Sequence, residues 1–100
     1  MRSELHSSSD GAKRLIWHCP GCDQAHGVPV SGPGPQVWHW NESEELPTLS
    51  PSILVRFPWG DPPQQRVCHS FMRDGRLQFL SDCTHALAGQ TVDVPEFPVL

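Results

Sequence analysis

The stretch "RVCHSFMRDGRLQFL", residues 66–80, limits the fold of this chain more than any other. Two alternating segments flank Asp74-Gly75, and that dipeptide is the strongest short signal for a two-residue hairpin turn. With the turn there, Arg73 faces Arg76, Met72 faces Leu77, Ser70 faces Phe79 and Cys68 faces Ser81. Residues that face one another, or lie two apart on a strand, share a side of the sheet. Cys68, Ser70, Met72, Leu77, Phe79 and Ser81 therefore share one side, and Cys83 joins them if the strand continues. Cys68 and Cys83 become diagonal neighbours at roughly 7 Å, so a small bend brings both sulfurs to one ion.

A matching pair lies upstream in "IWHCPGCDQAHG", residues 16–27. Cys19 and Cys22 bracket Pro20-Gly21, a tight turn that puts two sulfurs on one side with backbone N–H groups able to face them. Two sequence-distant pairs suit a tetrahedral Zn²⁺ site with Zn–S bonds of about 2.3 Å. The expected metal ligands are Cys19, Cys22, Cys68 and Cys83, with zinc as the cofactor. His85, two residues after Cys83, and then His69 stand as substitutes, although alternation points His69 to the opposite face. His18 and His26 flank the first pair. Three other readings compete. Cys68 and Cys83 could be small apolar core side chains. The four cysteines could pair as disulfides in an exported chain. The CxxC could be a redox pair, but that motif wants a helix N-terminus after a strand, and only Pro/Gly loops follow here.

With 100 residues the chain makes one domain or one domain with a tail. Eleven prolines and eight glycines argue against long helices. The expected fold is small and mainly β, a zinc-ribbon-like antiparallel sheet with long Pro/Gly loops and at most one helical turn, at 84–88. Further strands are expected at 13–18, 26–30 (an edge, because of Pro29), 36–40, 52–57 and 91–94. Trp59 is expected to fold over the core. The polar, Ser-rich residues 1–12 read as a flexible tail and 13–100 as a single zinc-stabilised domain. A net charge of −4 opposes general nucleic-acid binding. "MRSELHSSSDGA" lacks the apolar run of an export signal, and no segment approaches bilayer length. Both point to a cytoplasmic chain with reduced thiols.

Catalytic motifs are scarce. There is no H-x-E, H-E-x-x-H, phosphate loop, G-x-G-x-x-G or G-x-S-x-G. His69 and Asp82 form a diagonal pair on the hairpin face opposite the cysteines, and Asp82, Thr84 and His85 form a polar cluster. Either could hold a base and its orienter. Turn chemistry and hydrogen bonds to metal ligands explain the same residues without catalysis.

The ordered blocks "CPGCDQAHGVPV", "WHWN", "PTLSPSILV" and "CHSFMRDGRLQFLSDCTHALAGQTV" together resemble a family of small phage and prophage proteins. Some of these carry an "ammonia monooxygenase" label, which a thiolate-rich site does not suit. The resemblance covers roughly residues 16–95. It implies a virus-encoded protein in a bacterial cytoplasm. A more distant likeness to phage zinc-ribbon-like proteins implies that a His near the position of His69 serves the metal. The expected function is therefore a zinc-binding protein acting by protein–protein contact with a host or viral partner, with inhibition of a host defence system as a special case. A non-enzymatic role is favoured. A metal-dependent hydrolase using His69, Asp82 and His85 is the alternative, and a nucleic-acid-binding zinc ribbon a third reading. No membrane partner is expected.

Overall fold

Alternation of apolar and polar residues decides how this chain folds. In β2 (Lys13–Cys19), Leu15, Trp17 and Cys19 are buried while their neighbours are not. In β6 (Gln64–Arg73) the buried set is Cys68, Ser70 and Met72, and in β7 (Arg76–Phe79) it is Leu77 and Phe79. Period-two burial of this kind needs a second layer to cover the apolar face. In the computed structural model, which describes residues 1–98, two antiparallel sheets meet that need.

The remaining strands are β1 (Glu4–Ser7), β3 (Gln24–Ser31), β4 (His39–Trp40), β5 (Leu49–Trp59) and β8 (Thr91–Asp93). One sheet has the order β1-β2-β3 and the other β4-β5-β6-β7-β8. A single core cluster joins Leu15, Trp17, Cys19 and Val28 of the first sheet to Leu49, Ile53, Cys68, Met72, Leu77 and Phe79 of the second, with Cys83 and Val94 from the C-terminal segment. A radius of gyration of 13.5 Å matches the value of about 13 Å for a folded chain of this length.

The hairpin has the expected register: Arg73 opposite Arg76, Met72 opposite Leu77, Ser70 opposite Phe79. Asp74 and Gly75 both take positive φ, as a primed turn requires. The small mainly-β class stands, and β3, which carries Pro29, is an edge strand.

Several expectations give way. Residues 4–7 form β1 instead of lying within a tail, because β2, close in sequence, and Glu44, distant in it, both hold them. Glu4 to Ser7 pair with β2, the Ser3 N–H and hydroxyl both donate to the Glu44 carbonyl, and the Leu5 N–H donates to the Glu44 carboxylate. The helical turn at 84–88 is a set of non-helical turns, and no helix occurs among the described residues. Strand 36–40 shrinks to His39–Trp40, because the Trp38 N–H turns away to the Pro29 carbonyl of the other sheet. Trp59 is 61% exposed instead of covering the core, its ring edge-on to Phe57. The last two positions of the expected 13–100 domain lie outside the described residues. Among those described, no helix is long and apolar enough to cross a membrane.

One irregularity matters for function. Leu49 of β5 stands opposite Met72, but the next paired residue, Ile53, stands opposite Ser70. Ser50, Pro51 and Ser52 therefore face Phe71 alone. Such bulges re-aim side chains and recur beside active sites.

Candidate active site and cysteine cluster

Alternation along β6 sends Cys68, Ser70 and Met72 inward and leaves Val67, His69 and Phe71 on the outer face. His69 is held there from both sides. Its Nδ1 lies 3.1 Å from the Asp82 carboxylate, and its Nε2 lies 3.2 Å from the Ser52 hydroxyl. A carboxylate only accepts, so Nδ1 carries the proton and donates to Asp82. That tautomer leaves a lone pair on Nε2 to accept from the Ser52 Oγ–H. Serine, histidine and aspartate in this order form a nucleophile, a base and the group that orients the base.

Each member is positioned by a different device. Ser52 sits in the β5 bulge, and its carbonyl receives the Trp38 indole N–H at 3.4 Å. His69 is fixed by the β6 ladder. Asp82 lies on the loop after β7, which is pinned to β6 at two points. Leu80 N–H donates to the His69 carbonyl, while the Thr84 N–H and hydroxyl both donate to the Val67 carbonyl, and the Val67 N–H donates to the Thr84 hydroxyl. Cys83 adds to the clamp: its sulfur receives the His69 N–H and its thiol donates to the His69 carbonyl, both at 3.2 Å. The Cys83 sulfur thus braces the strand that carries the base, one residue after Asp82.

On the inner face all four cysteines are unbridged. The ligand atoms of Cys19, Cys22, His26 and Cys68 lie within 4.8 Å of one another, and those of Cys68, Cys83 and His85 form a second such group. The Cys19 and Cys68 sulfurs are 3.8 Å apart. That separation matches the edge of a tetrahedron with Zn–S bonds of about 2.3 Å, roughly 3.8 Å. The Nε2 atoms of both His26 and His85 are buried without a hydrogen-bond partner. A buried ring nitrogen left unpaired is costly in apolar surroundings, and at His26 a bound cation would satisfy it, whereas His85 Nδ1 accepts the Leu87 N–H and its Nε2 carries the proton. The first group could hold a metal ion.

The electrostatics of the sulfurs are cooperative. The Cys68 thiol donates to the Cys19 sulfur and, with the His26 ring and the Cys22 N–H beside it, draws the Cys19 pKa down to about 4 against the opposing effect of burial. Burial, then the charge on Cys19, pushes Cys22 up to about 11. Cys68 lies well above the ordinary thiol range, because its proton is held by Cys19 and because it is buried. One thiolate is thus stable among the three, and more negative sulfur is resisted.

Of the expected ligands, Cys19, Cys22 and Cys68 come together in one set. Cys83 meets Cys68 and His85 instead, and His26 stands in the first group. His85 packs on the Cys-Pro-Gly-Cys turn itself: a Cβ at Gly21 would lie 2.4 Å from its ring. His69 belongs to neither group, since both its nitrogens are engaged on the other face. His69 and Asp82 meet as the hairpin geometry suggests. Ser52 was not legible as a nucleophile, because a lone serine has no signature. Its only sequence signal is a Pro-flanked position at the start of an apolar strand.

No curated protein and no solved structure matches the chain. A family model does match, over residues 2–80, and that family is described as the bacterial ubiquitination-like system serine protease, BubE. The match spans most of the chain, so this protein belongs to the BubE family.

Proposed function

We propose that the protein is a serine peptidase or isopeptidase acting in a bacterial ubiquitination-like system. The observation that carries this reading is the Asp82–His69–Ser52 chain of hydrogen bonds across the outer sheet face. The description of the family supports it independently. In the reaction, Ser52 Oγ attacks the scissile carbonyl carbon and its proton passes to His69 Nε2. His69 then gives that proton to the leaving nitrogen as the C–N bond breaks, leaving an acyl ester on Ser52. Water attacks the ester, losing its proton to Nε2, and His69 returns that proton to Ser52 Oγ as the acyl C–O bond breaks and the acid is released. Asp82 stabilises the imidazolium formed in each half-reaction.

The partner is then a protein substrate met in a bacterial cytoplasm, with the phage or prophage setting that the sequence resemblance implies. We further propose Zn²⁺ on the inner face, held by Cys19, Cys22, Cys68 and His26. This set places His26 where the sequence pattern suggests Cys83. When bound, zinc supplies a structural cross-link between the sheets. The buried, protein-only donor set suits that task. Ser52, His69 and Asp82 lie on the opposite face and act without it.

A fluorophosphonate probe, which phosphonylates activated serines with loss of fluoride, tests the reading. The wild-type chain is expected to be labelled, with the adduct mapped to Ser52. Labelling of Ser52→Ala should fall by at least about 10³-fold. No labelling of the folded wild type, or labelling that survives in Ser52→Ala, would overturn the assignment.

A further inference from the structure

The backbone beside the triad has a free edge. His69 turns its N–H and C=O toward Cys83 and Leu80, and Val67 turns both of its groups toward Thr84. Neither residue therefore exchanges backbone bonds with its partner across the sheet, Leu54 or Arg56 respectively. In an antiparallel ladder the two members of such a pair point their N–H and C=O groups away from each other. Leu54 and Arg56 accordingly aim both backbone groups at the outer edge of β5. β4 covers that edge only at Leu49 and Ser50, and the Trp38 indole caps the Ser52 carbonyl. Beyond Ser52, no backbone partner occupies this edge among the described residues.

The order of groups across the sheet is Asp82, His69, Ser52, then the open edge. A chain laid along that edge meets Ser52 from the side opposite the base, where an acyl group must lie for attack. The side chains there are also unclaimed. Leu54 shares the outer face with His69 and is 46% exposed. Arg56 lies two residues further along the same face, exposed, and forms no ion pair among the described residues.

We infer that the substrate binds as an extended strand added to β5 at Leu54 and Arg56, with an acidic side chain on Arg56 and the scissile bond at Ser52. This rests on the hydrolase reading and adds the mode of recognition and the charge preference. Main-chain bonds to Leu54 and Arg56 supply register, and the Arg56 guanidinium supplies selectivity. Pro58, which has no N–H, ends the usable edge.

The full chain with Ser52→Ala is to be panned against random peptides displayed on phage. Enriched peptides should carry Asp or Glu at one fixed position. Adding Arg56→Glu should replace that preference with Lys or Arg. A synthetic enriched peptide should slow amide exchange at Leu54 and Arg56 by at least about tenfold. The inference falls if no peptide is enriched, if protection appears only elsewhere, or if the preference ignores Arg56→Glu. Panning needs no catalysis. Peptide capture at this edge without fluorophosphonate labelling of the wild type would sink the hydrolase reading alone, and labelling without capture would sink the strand site alone.

Discussion

Asp82 is the member of the triad most open to water, its side chain 56% exposed against 25% for His69. Solvent weakens its Coulomb attraction for a developing imidazolium, so its main contribution is to hold the tautomer with a proton on Nδ1. Asp82→Asn keeps the shape and presents an amide that can donate to Nδ1, which moves the proton to Nε2 and blocks acceptance from Ser52. The rate of fluorophosphonate labelling should fall about 10²- to 10⁴-fold with the circular dichroism spectrum unchanged. A fall below tenfold would show that Asp82 does not orient the base. Cys83 belongs to the same scale. Its sulfur is hydrogen-bonded to both backbone groups of His69, so a residue expected as a metal ligand instead braces the strand that carries His69.

At the level of elements, the Cys-Pro-Gly-Cys turn between β2 and β3 and the loop after β7 pack together where Gly21 meets the His85 ring. His85 is itself fixed edge-on to Phe79, with ring centroids 4.5 Å apart, and its Nδ1 accepts the Leu87 N–H. The ring therefore cannot withdraw cheaply from a side chain at Gly21. Gly21→Ala should destabilise the fold by about 1–3 kcal/mol, read from the urea midpoint at unchanged slope. An unaffected midpoint would mean that the two loops do not bear on each other. The β5 bulge is the other element with a functional consequence, since it frees Ser52 from the ladder and aims it at His69.

Across the whole molecule, the two faces of the five-stranded sheet divide the labour, and the chain joins them. Cys68 precedes His69 and Cys83 follows Asp82, so each member of that pair is one residue from a buried sulfur. A modest core of two short layers gains most from a cross-link in such a place. Purified protein should carry one zinc per chain. Cys19→Ser, Cys22→Ser, Cys68→Ser and His26→Ala should each lose it, while Cys83→Ala retains it. Chelation should lower Tm by at least about 10 °C, as a loss of a few kcal/mol does in a domain this size. Retention of zinc by His26→Ala together with its loss from Cys83→Ala would restore the four-cysteine set.

Local rules made much of this protein readable in advance. The Asp74-Gly75 turn, the inward set Cys68, Ser70, Met72, Leu77 and Phe79, and the meeting of His69 with Asp82 follow from alternation within one hairpin, where every contact is close in sequence. Proline and glycine content excluded long helices for equally local reasons. Tertiary structure decided the rest. β1 pairs with the nearby β2, and Glu44, some forty residues away, bonds to Ser3 and Leu5 beside it. Cys68 meets Cys19, Cys22 and His26 because the second sheet stacks on the first. Ser52 reaches the His69 ring because two extra residues in β5 turn it toward the neighbouring strand. A hydrogen bond between strands depends on register across a bulge, and no pattern within either strand encodes that register.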